Sequence, residues 1–184
     1  ALLIALTRWQ AVHLLPADWY YRLTTAHGFT MLVFWIVFFE IAGLYFGSAV
    51  VLSSRLSKPG LGWLAYALML IGALMVEAIV FSGQGTVMFT SYPPLKANPL
   101  LYLGMILFAV GAFVAVGLFF ATLVMAKVEK RYTGSLPLVT YGLMAAAVIA
   151  ARCGRFSASA WWRTARRRAA RRRCRRSSAR CASP

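Results

Sequence analysis

Acidic side chains are scarce in this 184-residue chain: Asp18, Glu40, Glu77 and Glu129 are all of them. Histidines are scarcer, with only His13 and His27. Cysteine is absent before Cys153, and the spacing of Cys153, Cys174 and Cys181 matches no zinc or haem-attachment pattern. The cysteines therefore say nothing about the redox setting of the first 152 residues. Charge of either sign is absent from the whole of Leu100–Ala126. No basic start precedes the first apolar residues and no small-residue cleavage pattern follows them, so the beginning does not read as a signal peptide. An initiator Met is also lacking, and the expectation is a fragment that starts inside or just after a helix.

What is abundant is apolar surface: 61% of residues are hydrophobic and the mean hydropathy is +0.70. Soluble domains lack apolar runs of twenty residues, and three are present. They cover residues 28–52, interrupted only by Glu40, residues 61–81, interrupted only by Glu77, and residues 100–126. At 1.5 Å per residue each can cross a hydrocarbon core of about 30 Å. A fourth run, residues 136–151, stops short, and residues 1–6 look like the end of a preceding span. The expected fold is therefore all-α, a polytopic transmembrane helix bundle with three full spans and partial spans at both ends. In a bilayer only helices or closed barrels satisfy every backbone polar group internally.

The linkers carry the topology. Residues 7–26 hold Trp9, Trp19, Tyr20 and Tyr21, a density that marks a membrane–water interface. The linkers around residues 53–60 and 127–135 hold five Lys/Arg between them; those at 7–26 and 82–99 hold three. The positive-inside bias then puts His27 and the 82–99 loop together near the outer face. Small residues recur at helical spacing, Gly43 and Gly47 on the first span and Gly104, Gly111 and Ala115 on the third. Such residues let backbones approach closely where lipid supplies no hydrophobic drive, although the spacings are common in membrane helices.

The net charge of +16 is divided unevenly. Residues 1–151 carry eight Lys/Arg against four Asp/Glu, a net +4, whereas residues 152–184 carry twelve Arg and no acid. The tail can be read as an anionic-lipid or nucleic-acid contact. Its residue usage favours another account. From Arg152 on, Lys, Ile, Asn, Asp, Glu, Leu and Val vanish, and Arg, Ala, Ser, Cys, Trp and Pro dominate. These are residues of GC-rich codons, and the switch falls in mid-helix. The tail is expected to be a frame-shifted, non-native or disordered extension, with no nucleic-acid partner. Restoring one or two bases near the codons for Ala150–Arg152 should lengthen the apolar run to about twenty residues. It should also open a frame with further apolar, histidine-bearing spans. A sequenced gene whose shifted frames all stop early makes the tail genuine.

His27 stands at the mouth of the first apolar run in Thr25-Ala-His-Gly-Phe-Thr-Met31. A histidine one turn inside a membrane helix can hold a haem iron; it can also be an interfacial side chain bonded to water or a headgroup. Gly28 removes bulk beside the imidazole, and Thr24 and Thr25 are candidates to accept from its second ring nitrogen. His13 lies in the aromatic linker without a motif and reads as solvated or interfacial. Glu40 and Glu77 must be neutral, paired or facing a polar cavity, because a carboxylate in lipid is costly. Glu40 projects about 220° around a regular helix from His27, away from its face, so hydrogen-bonded carboxyls within a larger bundle are expected over a proton path. Tyr92, Pro93 and Pro94 read as a cap over the His27 region and equally as an ordinary rigid turn, and the two readings are compatible.

Thr25-Ala-His-Gly-Phe-Thr-Met31 resembles the second helix of subunit I of the haem–copper oxygen reductases. Thr90-Ser-Tyr-Pro-Pro-Leu95 resembles the outer loop between that family's third and fourth helices, and Leu136-Pro-Leu-Val-Thr-Tyr141 the start of its fifth. The three matches come in the family's order over about residues 18–150, and Tyr-Pro-Pro-Leu-Lys with Leu-Val-Thr-Tyr is most like the B-type branch. The resemblance implies terminal respiratory oxidation in a prokaryotic plasma membrane, with cytochrome c oxidised, oxygen reduced to water and protons translocated. It implies His27 as an axial ligand of a low-spin haem, b-type in this branch. A high-spin haem and copper belong to the whole enzyme, with ligands in later helices; no histidine follows His27 here. Subunit II, cytochrome c, the remaining helices of subunit I and membrane lipid are the implied partners. A nitric oxide reductase would share the early histidine, and a cofactor-free membrane scaffold or transport protein is the reading from a different class.

Overall fold

The structure is a computed structural model that describes residues 1–9, 11–12, 14–51, 56–88, 96–129, 135–149 and 151–152. His13, the Tyr-Pro-Pro-Leu motif, all three cysteines and the tail from Cys153 lie outside the described residues. The chain divides into two units, residues 1–144 and 145–184, and the described residues of the second are helical.

Every regular element among the described residues is helical, and three are long and apolar enough to cross a membrane, as the apolar runs predict. Helix α1 covers Leu2–Arg8. The first span is continuous from Ala17 to Val50 and is made of α2 (Ala17–Gly28), π-helical turns (Phe29–Trp35), α3 (Ile36–Phe46) and further π turns from Gly47. Helices α4 (Pro59–Phe81) and α5 (Pro99–Val128) are the second and third spans. Leu138–Ile149 forms a shorter apolar helix, α6.

The first span begins at Ala17, within the segment read above as an outer linker. Pro16 precedes it, and Pro cannot sit inside a helix but readily ends the chain before one. The 34-residue span is about 50 Å long, well beyond a core of about 30 Å. Its leading turns, with Trp19, Tyr20 and Tyr21, therefore belong to the interface their composition indicates. Helices α4 and α5 both open with Pro in the first turn, where no amide donor is needed. Asn98 caps α5 by accepting from Leu100 N–H at 3.0 Å, and its own N–H donates to Gln84 O.

The core sits where α4 and α5 pack against the first span. Gly72 lies against the α5 backbone, so close that a Cβ there would fall 2.6 Å from Gly104 O and from Phe108 N. Gly111 is similarly pressed on Ala65 O and Met69. The Gly104/Gly111 spacing thus marks the face of α5 that meets α4, while Gly43 and Gly47 face Leu143. An aromatic cluster closes the third side: Phe34 packs on Phe108 at 4.8 Å between ring centroids, and Phe38 meets both Phe108 and Tyr66. Phe29 and Phe34 stack with rings 19° apart. Residues five apart diverge by about 140° on an α-helix, but i→i+5 turns bring them onto one face. The π segment is what lets both rings enter the core. It also means that the 100°-per-residue projection from His27 to Glu40 does not hold.

Candidate cofactor site at His27

His27 is the penultimate residue of α2, half-buried, with π turns beginning two residues later. Single π turns inside α-helices occur frequently at functional sites. Among the described residues its ring makes no hydrogen bond. Thr24 and Thr25 do not hold it, contrary to the expectation above. Each hydroxyl donates to the carbonyl one turn back, Thr24 to Tyr20 O and Thr25 to Tyr21 O, both at 2.8 Å. That local bond is nearly always in reach of a helical threonine, and it turns both side chains back along their own helix.

Thr25, fully buried, has a second partner. Its Oγ1 accepts from the N–H of Met88, 63 residues on, at 3.2 Å. Met88 is in the left-handed region, φ +54°, which few non-glycine residues adopt, and the Thr25 bond anchors it there. Val87 is buried in the same core cluster as Ala26 and Phe29. One turn earlier, Arg22 donates from Nη1 to Phe81 O, the last carbonyl of α4, at 3.1 Å. A cation at a helix C-terminus gains from the orphan carbonyls and the helix dipole, typically about 0.3–1 kcal/mol. Arg22 also pairs with Asp18 and lies over the Trp19 ring, and Gly83, φ +84°, leaves it room. The Asp18 carboxylate is largely exposed, so that ion pair adds little. The segment after α4 is thereby held beside the entry of the His27 helix, and the Tyr-Pro-Pro-Leu motif follows it directly in sequence.

Thr30, three residues beyond His27, donates to Glu77 Oε1 at 2.7 Å. Glu77 is thus a hydrogen-bonded carboxyl between two spans. Glu40, on α3, is half-buried. At the other end of the first span, Tyr45, Leu56, Pro59, Gly62, Trp63 and Tyr66 line an apolar groove of about 450 Å³, about 27 Å along the helix from His27.

No cluster of three or more His, Cys, Asp or Glu able to hold a metal ion occurs among the described residues. His27 is a lone donor. A haem needs no more from one side, because the porphyrin supplies four nitrogens and the protein only the axial positions. A half-buried imidazole without a hydrogen-bond partner among the described residues fits that requirement. Sequence alone pointed to His27 but missed Arg22, which reads as one more interfacial cation, and the second partner of Thr25. Neither leaves a local signal, since both partners are about sixty residues away.

Residues 1–168 match the family model of cytochrome c and quinol oxidase polypeptide I, a match that runs sixteen residues past Arg152 into the Arg-rich stretch. Over 127 residues the chain is 28% identical to cytochrome c oxidase subunit 1 of Thermus thermophilus, which covers 66% of this chain and 21% of that protein. The chain therefore spans about a fifth of the length of the relative it matches. No solved structure gives a significant match. A helical membrane bundle matched by the family model over most of its length belongs to the family of cytochrome c and quinol oxidase polypeptide I.

Proposed function

We propose that this chain is a segment of the haem-bearing subunit of a B-type terminal respiratory oxidase, in which His27 is one axial ligand of the low-spin, b-type haem. The observation that carries the reading is the half-buried His27 imidazole, free of protein hydrogen bonds among the described residues, in a chain of this family. The haem, when bound, supplies reversible one-electron chemistry. The His27 imidazole would hold the iron through its lone pair, and Gly28 keeps the adjacent backbone bare. Its sequence neighbours Ala26 and Phe29 belong to the buried apolar core.

In the complete subunit, electrons from cytochrome c would reach a high-spin haem and copper whose ligands lie in later helices. No histidine follows His27, so the 184-residue chain by itself would not reduce oxygen. Subunit II and the remaining helices of subunit I are the expected partners, and a prokaryotic plasma membrane the location. Membranes holding the complete subunit should show a Soret band and oxygen uptake with reduced cytochrome c. A preparation without a Soret band overturns the haem reading in favour of a scaffold. Turnover of nitric oxide in place of oxygen moves the assignment to the nitric oxide reductases.

A further inference from the structure

We infer that Arg22, together with Thr25, is a positioning residue for His27: the two latch the back of α2 to α4 and its following loop, and so set the height and rotation of the imidazole. The inference rests on the haem reading above and concerns how the ligand is held. It comes from the angular arrangement of three residues on one regular helix. Helix α2 is regular through Gly28, so residues advance about 100° each. Arg22 lies about 140° from His27 and Thr25 about 160° from it in the other direction, while Arg22 and Thr25 are about 60° apart. The two latch residues share one face, and His27 occupies the opposite one.

Both latch bonds reach the same short stretch of the chain. Arg22 Nη1 donates to Phe81 O at the end of α4, and Met88 N–H donates to Thr25 Oγ1. The stretch between them contains a turn at Gly83 that leaves space for the guanidinium, and it ends at the left-handed Met88. Thr25 is fully buried, so its second bond is shielded from water, where a hydrogen bond orients most firmly. Helix α2 thus has two fixed points, one turn apart, on the side away from the ligand. Among the described residues the imidazole has no hydrogen-bond partner of its own, so the fixed points of its helix are what the described structure offers to orient it. Groups that orient a metal-bound histidine usually bond its second nitrogen; here the helix itself is oriented.

The test uses the complete, haem-loaded subunit. Thr25→Val keeps the side-chain shape and removes the Met88 acceptor; Arg22→Met keeps the stem and removes the guanidinium. Each should shift the g-values of the low-spin haem in the EPR spectrum. Each should also speed loss of that haem to an excess of haem-free acceptor protein by about tenfold, the lower range for loss of a ligand-orienting group. Arg22→Lys, which retains one cationic donor, should restore most of the wild-type spectrum. The high-spin haem signal is the internal standard for assembly and should not change. Wild-type g-values and haem retention in Thr25→Val and Arg22→Met, with the signal lost in His27→Ala, overturn the latch and leave the haem assignment standing. Equal loss of both haems in all three latch variants also overturns it, because the residues then serve folding in general. A normal low-spin signal in His27→Ala removes the haem assignment itself.

Discussion

Replacing His27 by alanine in the complete subunit is expected to abolish the low-spin haem signal, while His13→Ala leaves it intact. On the proposed reading the variant lacks the side chain that would hold the iron on this side. Disturbing only the groups that orient a metal-bound histidine costs about 10–100-fold, so removing the ligand should cost more than about 100-fold in haem retention. The neighbouring Thr24 and Thr25 offer only neutral hydroxyls, which are not among the usual side-chain ligands of haem iron. Met31 lies one turn further on, but a thioether ligand gives a different spectrum and a raised potential, so its intervention would be visible. Reduced-minus-oxidised spectra of membranes carrying each variant decide the matter. A wild-type low-spin band in His27→Ala is the result that sinks the assignment.

The largest effect on stability is expected from Gly72→Ala. The new methyl would stand 2.6 Å from Gly104 O and Phe108 N, both backbone atoms that no side-chain rotation can move aside. The α4–α5 pair must part along its length. Overpacking of this kind costs about 1–3 kcal/mol or more, and in lipid close packing is the main force holding helices together. Gly117→Ala on the same pair of helices is the control: nothing lies within 4 Å of its would-be Cβ. That change should be neutral to within about 0.5 kcal/mol. Thermal unfolding of both variants in the same detergent compares them. Equal melting temperatures would mean that the helices do not meet through these glycines.

The three spans were legible from sequence because hydropathy belongs to each residue by itself, and a run of apolar residues is the sum of its members. His27 was legible because an imidazole at the edge of such a run stands out when only one other exists in the chain. The interfacial aromatics and the Pro residues that open α4 and α5 are local in the same sense. Other features were decided only by the tertiary structure. The stacking of Phe29 on Phe34, and with it the failure of the Glu40 projection, depends on the π turns, and angular error accumulates along a helix once the residues per turn change. The partner that Glu77 accepts from, Thr30, sits on another span and is not visible in the sequence around the carboxyl. Arg22 and Thr25 find partners 59 and 63 residues away, and such bonds exist only once α4 has packed beside α2. Composition and order therefore specified which segments are apolar enough to enter the membrane and which side chain is the candidate to hold a haem iron, since these are properties of single residues and their near neighbours. Where that side chain points was left to the packing of α2 on α4 and its loop, because orientation is a property of pairs of distant residues.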